Sequence, residues 1–381
     1  MKNIQICSKC IYDNTVPSIQ FNQDGVCNYC QMVDELIDEY GTGKEKGQEI
    51  FNSILEEIKY DGKNKKYDCV IGVSGGTDSS YMLHKIKEWG LRPLAVHYDN
   101  TWNTAIASQN IKIMLDRLNI DLYTHVVDNE EVDSLFKAFF KAGVPELDAS
   151  TDLALAEVLY RAANSVGVKY IIEGHSFTTE GVSALGDIYF DGRYINSINN
   201  KFGTMKLKSY PLMTFYQFMK WVLIKRIKKI RPLWYLDYSK EQARDLLEKT
   251  YGWRYYGGHH LENRLTAFNH VVYFPQKFNK DLRNLTLAAS ARSGSMSRED
   301  ALDIYNKPVT YEVGLVEYFK KRLDISDDEY NQTMTSKPKS FRDYPSYKKL
   351  FEFLRPMFYV LYKSNLVPKS FYIKYTSKNE I

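Results

Sequence analysis

The stretch Tyr67–Ser80, YDCVIGVSGGTDSS, decides how the rest of the chain is read. Tyr67–Val73 is a short apolar run, the pattern of a strand buried on both faces. Gly75 and Gly76 follow, and helical spacing then runs from Asp78 to Trp89. A strand that turns through glycines into a helix presents free backbone amides at one point, which suits an anion. Ser74, Thr77, Ser79 and Ser80 add hydroxyls. There is no Gly-Lys-Ser/Thr, so this is not a Walker loop, and Asp78 puts a carboxylate where a phosphate alone would be repelled. Either Asp78 caps the helix, or a magnesium ion bridges it to a pyrophosphate.

Outward from this stretch, strands alternate with helices. Leu91–Tyr98, Ile120–Val127 and Lys169–His175 read as strands; Thr104–Leu118, Val132–Ala142 and Thr151–Val166 read as helices. The expected fold is α/β, a doubly wound parallel sheet, which binds ligands beyond the carboxyl ends of its strands. There the second strand offers His97 and Asp99, and the fourth offers Glu173, Gly174 and His175, with Thr179 and Glu180 just beyond. After about residue 200 the chain becomes mainly helical, with candidates at Thr214–Ile230, Lys240–Thr250 and Arg298–Tyr305. The expected division is a metal module and linker over 1–45, the α/β domain over 46–205, and a helical region over 206–381 that binds substrate or partner.

Four of the five cysteines lie in the first 30 residues: CSKC (Cys7, Cys10), sixteen residues, then CNYC (Cys27, Cys30). Two such knuckles supply four thiolates to one tetrahedral zinc, closed and therefore structural; an iron–sulfur cluster is the chemical rival. The N-terminus has no apolar signal core and no stretch reaches the length of a membrane span, so a cytoplasmic location is expected, where thiols stay reduced. Lys plus Arg is 51 against 47 Asp plus Glu, a net charge of +4, which gives little support to a protein held on nucleic acid by phosphate contacts.

SGGTDSS after an apolar strand resembles the pyrophosphate loop of the PP-loop ATP pyrophosphatases (a HUP-like fold), whose members split ATP between the α and β phosphates and adenylate a carbonyl oxygen. A longer set of motifs, CSKC…GVCNYC, SGGTDSS, HYDNTWNT, EGHSFTTEG, GWRYYGGHHLENRLTAF (Gly252–Phe268) and SGSMSREDAL (Ser293–Leu302), resembles the N-acetyl sugar amidotransferases of the WbpG/PseA type. The resemblance implies an ATP- and magnesium-dependent ligase that converts an acetamido group of a nucleotide-activated sugar to an acetamidino group, in lipopolysaccharide O-antigen or nonulosonic acid synthesis. It implies ATP binding by Ser74, Gly75, Gly76, Thr77, Asp78 and Ser79, with His97, Asp99, Glu173, Gly174 and His175 around the nucleotide. Thr101 stands where glycine is commoner in that group, and the acidic pair of the tRNA-modifying branch is replaced by Thr178, Thr179 and Glu180.

Asp78, Ser74, Lys206 and His259 are the candidate catalytic residues, with Lys206 or Lys208 reaching the ATP phosphates. Thr179, Glu180, Arg254, His260, Asn263 and Arg264 are candidates for holding the substrate. KWVLIKRIKKIR (Lys220–Arg231) reads as a helix with a solvated basic face, or as a docking surface for a partner, an anionic substrate or a membrane. The reaction needs ammonia, yet four cysteines are assigned to metal and Cys69 to a buried strand. A separate glutaminase (HisH-like) is therefore expected, and the resemblance implies a synthase-type channel subunit (HisF-like) beside it. The competing readings are a PP-loop tRNA-thiolating enzyme and a non-catalytic nucleotide-binding regulator.

Overall fold

The computed structural model describes residues 4–182, 188–257 and 261–377. Five parallel strands form one sheet in the order β3-β2-β1-β4-β5: β1 Cys69–Gly72, β2 Pro93–Asp99, β3 Leu122–Val126, β4 Tyr170–Ile172 and β5 Lys228–Ile230. β1 lies at the centre, with Val70 beside Leu94 of β2 and Ile171 of β4. The chain builds outward from β1 in one direction through β2 and β3, and in the other through β4 and β5. The switch point therefore lies between β1 and β4, and a crevice opens beyond their carboxyl ends.

Among the described residues six helices precede β4: α1 Asn28–Tyr40, α2 Glu45–Gly62, α3 Thr77–Glu88, α4 Ala105–Leu118, α5 Asn129–Ala142 and α6 Ala149–Ser165. Their ends follow local chemistry. Thr104 caps α4 through Ala107 N–H, Asp128 caps α5 through the amides of Glu130 and Glu131, and α5 stops at Gly143 in the left-handed region. Alternate strand residues feed opposite layers. Val70, Leu94 and Val96 pack with Phe136 and Phe139 of α5 and Leu159 of α6. Ile71 and Ala95 pack on the other side with Met82 and Ile86 of α3 and Met114 of α4.

After β4 come α7 Phe177–Glu180, α8 Gly192–Phe202, α9 Phe215–Met219 and α10 Lys240–Tyr251, then α11 Arg264–Phe268, α12 Phe274–Phe278, α13 Arg283–Ser293, α14 Arg298–Asn306, α15 Leu315–Arg322, α16 Asp327–Thr335, α17 Lys348–Phe353, α18 Arg355–Lys363 and α19 Lys369–Thr376. The helix expected over Thr214–Ile230 does not form as one piece. α9 passes into a single π-helical turn, Lys220–Ile224, the chain reverses at Arg226 (φ 52°), and Lys228–Ile230 joins the sheet beside β4. The reason is side-chain partnership: Lys228 reaches Glu57 at 2.8 Å and Lys229 reaches Glu173 at 2.6 Å, on alternate sides as a strand requires, while Ile224 is exposed. The sheet thus continues past residue 205.

One apolar core runs from Val70 to Val367 without a break. Its hinge is aromatic: Phe268 of α11 stacks on Phe319 of α15 with centroids 3.7 Å apart, and both meet Phe140 of α5, at 6.4 and 5.2 Å. The Tyr/Phe-rich tail closes this core through Phe351, Phe358, Phe371 and Tyr375. Phe268 is fully buried, so Phe268→Ala is expected to cost roughly 3–5 kcal/mol, read as a lower denaturant midpoint with the transition still single.

Candidate active site and metal centre

The turn from β1 to α3 is held by its own hydroxyls and by the segments around it. Ser74 Oγ accepts from Gly76 N–H at 3.2 Å and meets Ser79 Oγ at 3.3 Å; Ser79 Oγ donates to the Gly76 carbonyl at 3.2 Å. Gly75 has φ +79°, and a Cβ there would run into the Ala107 carbonyl in the first turn of α4. The Gly75 carbonyl accepts from Asn110 Nδ2 at 3.3 Å and from Trp253 Nε1 at 3.2 Å. Thr77 Oγ1 is buried beside the Tyr256 hydroxyl.

Asp78, in the first turn of α3, does not point to solvent. Lys240 Nζ lies 2.7 Å from its Oδ2, and the Tyr238 hydroxyl donates to its Oδ1. Burial works against the Lys240 charge, but Asp78 outweighs it and raises the lysine above its usual range. Burial and Asp78 together push the Tyr238 hydroxyl far up, so it stays a donor. Two carboxylates (Asp78 and Glu262), one ammonium and two phenols (Tyr238 and Tyr256) thus stand at the loop, with Glu262 and Tyr256 against Gly76.

A cavity of about 620 Å³ opens from Ser74 across the switch point. This is ordinary for a small-molecule site of roughly 300–1,000 Å³. His97 donates from Nδ1 to the Val73 carbonyl at 2.9 Å, which leaves Nε2 as an acceptor toward Asn103 Nδ2 at 3.4 Å. Asn263 caps α11 and its Nδ2 donates to Asn100 Oδ1 and Asn103 Oδ1, both at 3.1 Å. His175 Nδ1 accepts from Trp234 Nε1 at 3.1 Å, so its Nε2 carries the proton; burial lowers its pKa and keeps it neutral. Burial opposes the charge of Glu173, yet Lys229 at 2.6 Å and Arg231 at 2.9 Å hold the carboxyl well below its usual range.

Ser74, His97, Glu173, Gly174, His175 and Asn263 therefore meet at one cavity. Other expected residues are placed elsewhere. Asp99 Oδ1 accepts from Thr101 N–H at 2.8 Å, and the residue is not part of the cavity wall. Lys206 and Lys208 are exposed, because the buried Glu131 carboxylate takes the amides of Lys208, Ser209 and Tyr210 and turns this segment outward. Arg254 is exposed and contributes only backbone, to Asn110; Arg264 lies over the Tyr318 ring and reaches Glu312 at 3.3 Å. Glu180 accepts from Ser176 N–H, and Thr179 Oγ1 is buried without a partner; neither lines the cavity. His259 and His260 lie outside the described residues. Sequence reasoning missed Lys240 and Tyr238. Their only sequence signal was a start of the helix at Lys240, since 160 positions separate Tyr238 from Asp78.

Cys7, Cys10, Cys27 and Cys30 form one buried cluster able to hold a metal ion. Their Sγ atoms lie 3.5–3.8 Å apart across the Cys7–Cys30, Cys10–Cys27 and Cys27–Cys30 pairs. A tetrahedral ion with bonds of ~2.3 Å requires edges of about 3.8 Å. The amides of Lys9, Tyr12 and Cys27 donate to the sulfurs. Arg292 of α13 donates from Nε to Cys30 Sγ at 3.2 Å and from Nη2 to Cys10 Sγ at 3.6 Å, and Arg298 of α14 donates to the carbonyls of Cys7 and Cys10. Cys69, in β1, is wholly buried, and burial pushes its thiol up and out of reactive range.

Two outcomes follow from this geometry. Purified protein is expected to carry one metal per chain, and Cys10→Ser to lose it with a fall in melting temperature, because binding and local folding are linked; elemental analysis beside a thermal melt checks both. Asp78→Asn removes the bonded partner of the Lys240 cation, leaving Glu180 and Glu262 to act on it through space, and should cost roughly 2–3 kcal/mol. Adding Lys240→Met should recover that stability without recovering any loop-dependent activity; a cycle of denaturation curves measures the coupling.

Residues 262–357 match the family model described as LPS biosynthesis protein WbpG-like, C-terminal domain. The chain is 31% identical over 172 residues to an uncharacterized protein of Methanocaldococcus jannaschii, covering 44% of this chain and 58% of that one. It is 28% identical over 127 residues to the tRNA-specific 2-thiouridylase MnmA of Proteus mirabilis, 29% of this chain and 34% of the enzyme. The chain thus spans rather more than half of the first relative and about a third of the second. Among solved structures, NMN synthetase from Francisella tularensis is similar at 14% identity and a TM-score of 0.33, over 74% of this chain and 95% of that one. The resemblance read from the motifs is borne out at residues 262–357, which match a WbpG-like C-terminal domain and are joined to a doubly wound parallel α/β domain that carries the SGGTDSS loop.

Proposed function

We propose that the protein is an ATP-dependent amidotransferase that turns an acetamido group of a nucleotide-activated sugar into an acetamidino group, in the synthesis of a bacterial surface polysaccharide or nonulosonic acid. One observation carries this reading: the cavity that begins at Ser74 of the loop is completed by Asn263, Thr266, Tyr347 and Phe351 of the WbpG-like segment. A nucleotide held by the first and an acceptor held by the second would share one space.

An amide carbonyl is a poor electrophile. In the proposed reaction its oxygen attacks the α-phosphorus of ATP and pyrophosphate leaves; ammonia then adds to the imidate carbon, AMP leaves with the former carbonyl oxygen, and the product retains the proton as an amidinium. The protein need form no covalent bond, so its contribution is position and charge. The turn at Gly75 and Gly76 accommodates the phosphates, and Lys240 is close enough to the loop to meet them. His97, whose Nε2 accepts from Asn103 Nδ2, holds that amide at the cavity wall, while His175 Nε2–H would donate to an oxygen of the nucleotide. Magnesium would be held by Asp78 once Lys240 moves to phosphate, and would neutralise the departing pyrophosphate. Zinc is the ion assigned to the cysteine cluster, whose closed set of four sulfurs leaves no open position for catalysis.

Ammonia is assigned to a partner glutaminase because four cysteines share the metal cluster and Cys69 is buried in β1; the WbpG/PseA resemblance adds a synthase-type channel subunit. The same count leaves the thiolation reading without an accessible free thiol, so that reading would need a cluster site at the four cysteines. The test is direct: with ATP, magnesium and ammonium, pyrophosphate release should depend on an N-acetylated nucleotide sugar, and mass spectrometry should find the acetamidino product. Glutamine alone should not replace ammonium. Release that depends on tRNA instead, or none with any sugar, would remove this reading.

A further inference from the structure

From Gly192 to Leu236 the chain carries ten Lys and Arg and no Asp or Glu, although the whole chain is nearly balanced at 51 against 47. The rest of the molecule is therefore net acidic, and the excess positive charge is concentrated in this one stretch. Lys228, Lys229 and Arg231 are matched by Glu57 and Glu173. Arg193, Lys201, Lys220, Lys225 and Arg226 are exposed, and none takes part in an ion pair among the described residues. In the middle of the stretch, α9 and the π-helical turn after it have two different faces. The inner face is packed: Phe215 meets Phe351 at 5.6 Å, Phe218 meets Phe371 at 4.9 Å, and Trp221 Nε1 donates to Glu157 at 2.9 Å. The outer face carries Tyr216, Lys220, Leu223 and Ile224 at helical spacing, with Tyr216 76% exposed and Ile224 71%. Arg193 of α8 stands close by: its guanidinium lies 5.9 Å from the Tyr347 ring, which meets Phe215 at 5.9 Å. α17, packed on α9 through Phe351, exposes Phe353.

The water-facing side of a helix is normally charged or polar. Here it is aliphatic and aromatic and rimmed by unmatched cations, the pattern of a segment that lies in a lipid interface. We propose that α9 and the turn through Arg226 dock on an anionic lipid surface. Tyr216, Leu223 and Ile224 enter the boundary between headgroups and acyl chains, while Arg193, Lys220, Lys225 and Arg226 meet the headgroup phosphates. Nucleic acid fits the charge but not the apolar residues, because leucine and isoleucine neither stack on bases nor hydrogen-bond to them. No described helix is long and apolar enough to cross a membrane, so the contact is peripheral and sensitive to salt. The proposal does not rest on the amidotransferase reading. It concerns the outside of elements whose inner side, through Phe215 and Phe218, walls the cavity.

The test is co-sedimentation of the full chain with vesicles of phosphatidylcholine alone, or of phosphatidylcholine with about 30% phosphatidylglycerol, at low and high salt. The chain should bind the anionic vesicles roughly tenfold or more tightly than the neutral ones, and about 0.5 M salt should remove most of the difference. Lys220→Glu with Lys225→Glu should erase the preference. Lys63→Glu with Lys112→Glu changes the net charge equally at exposed positions after α2 and on α4, and should keep it. Ile224→Asp should weaken binding to the anionic vesicles by about tenfold, with the melting temperature unchanged because the residue is exposed. Equal or absent binding to the two vesicle types would overturn the proposal and leave the face to an acidic protein partner. So would a loss in the Lys63/Lys112 variant as large as in the Lys220/Lys225 variant, or an Ile224→Asp variant that binds like the parent. Tighter binding to a mixed tRNA pool than to the anionic vesicles would overturn it in favour of nucleic acid.

Discussion

The close approach of two backbones at Gly75 governs the arrangement around it. The turn after β1 lies against the first turn of α4, with no room for a side chain, and its carbonyl is gripped by Asn110 and Trp253. Asn110 in turn holds the backbone of Arg254 through both its N–H and its carbonyl. One small residue therefore brings together β1, α3, α4 and the chain beyond α10. Because that chain leads on to Asn263, the loop and the WbpG-like segment come to share one cavity wall.

The charges of the site are arranged in buried sets. Asp78 is matched by Lys240, and Glu173 by Lys229 and Arg231. Buried ion pairs contribute little net stability but are costly when one partner is lost. A ligand phosphate or cation that enters can exchange partners with such a set at a lower cost than it would pay to bind a solvated one, because the groups are already desolvated and held in place.

The cysteine cluster is far from the loop in sequence but mechanically joined to it. Arg292 and Arg298 tie the knuckles to α13 and α14, and Leu287 and Ala288 of α13 pack into the cysteine module's own core. The same α13 lies against α7, where Gly181 has no space for a side chain beside Leu285. α7 follows directly from His175, so the metal module braces the carboxyl end of β4. Arg292 on the Cys10 and Cys30 sulfurs, with Arg298 on the Cys7 and Cys10 carbonyls, also offsets the negative charge that a four-thiolate ion would carry.

The parallel α/β order, the loop and the cysteine quartet were legible along the chain because each depends on neighbours in sequence: an apolar run of a few residues, a Gly-Gly turn, two Cys-x-x-Cys pairs. Ser74, His97, His175 and Asn263 were found because strand ends and caps have local signatures. The rest was settled by folding. Lys228–Ile230 has apolar spacing compatible with a helix, and only the distant carboxylates Glu57 and Glu173 select a strand. Lys206 and Lys240 are both lysines in polar stretches; the burial of Glu131 turns one outward, and the position of Asp78 draws the other in. The aromatic tail showed composition without role, because an aromatic side chain identifies a cavity wall only when the residues opposite are in place. Local patterns are set by backbone geometry over a few residues, whereas ion partners and cavity walls are set by packing between segments a hundred or more residues apart.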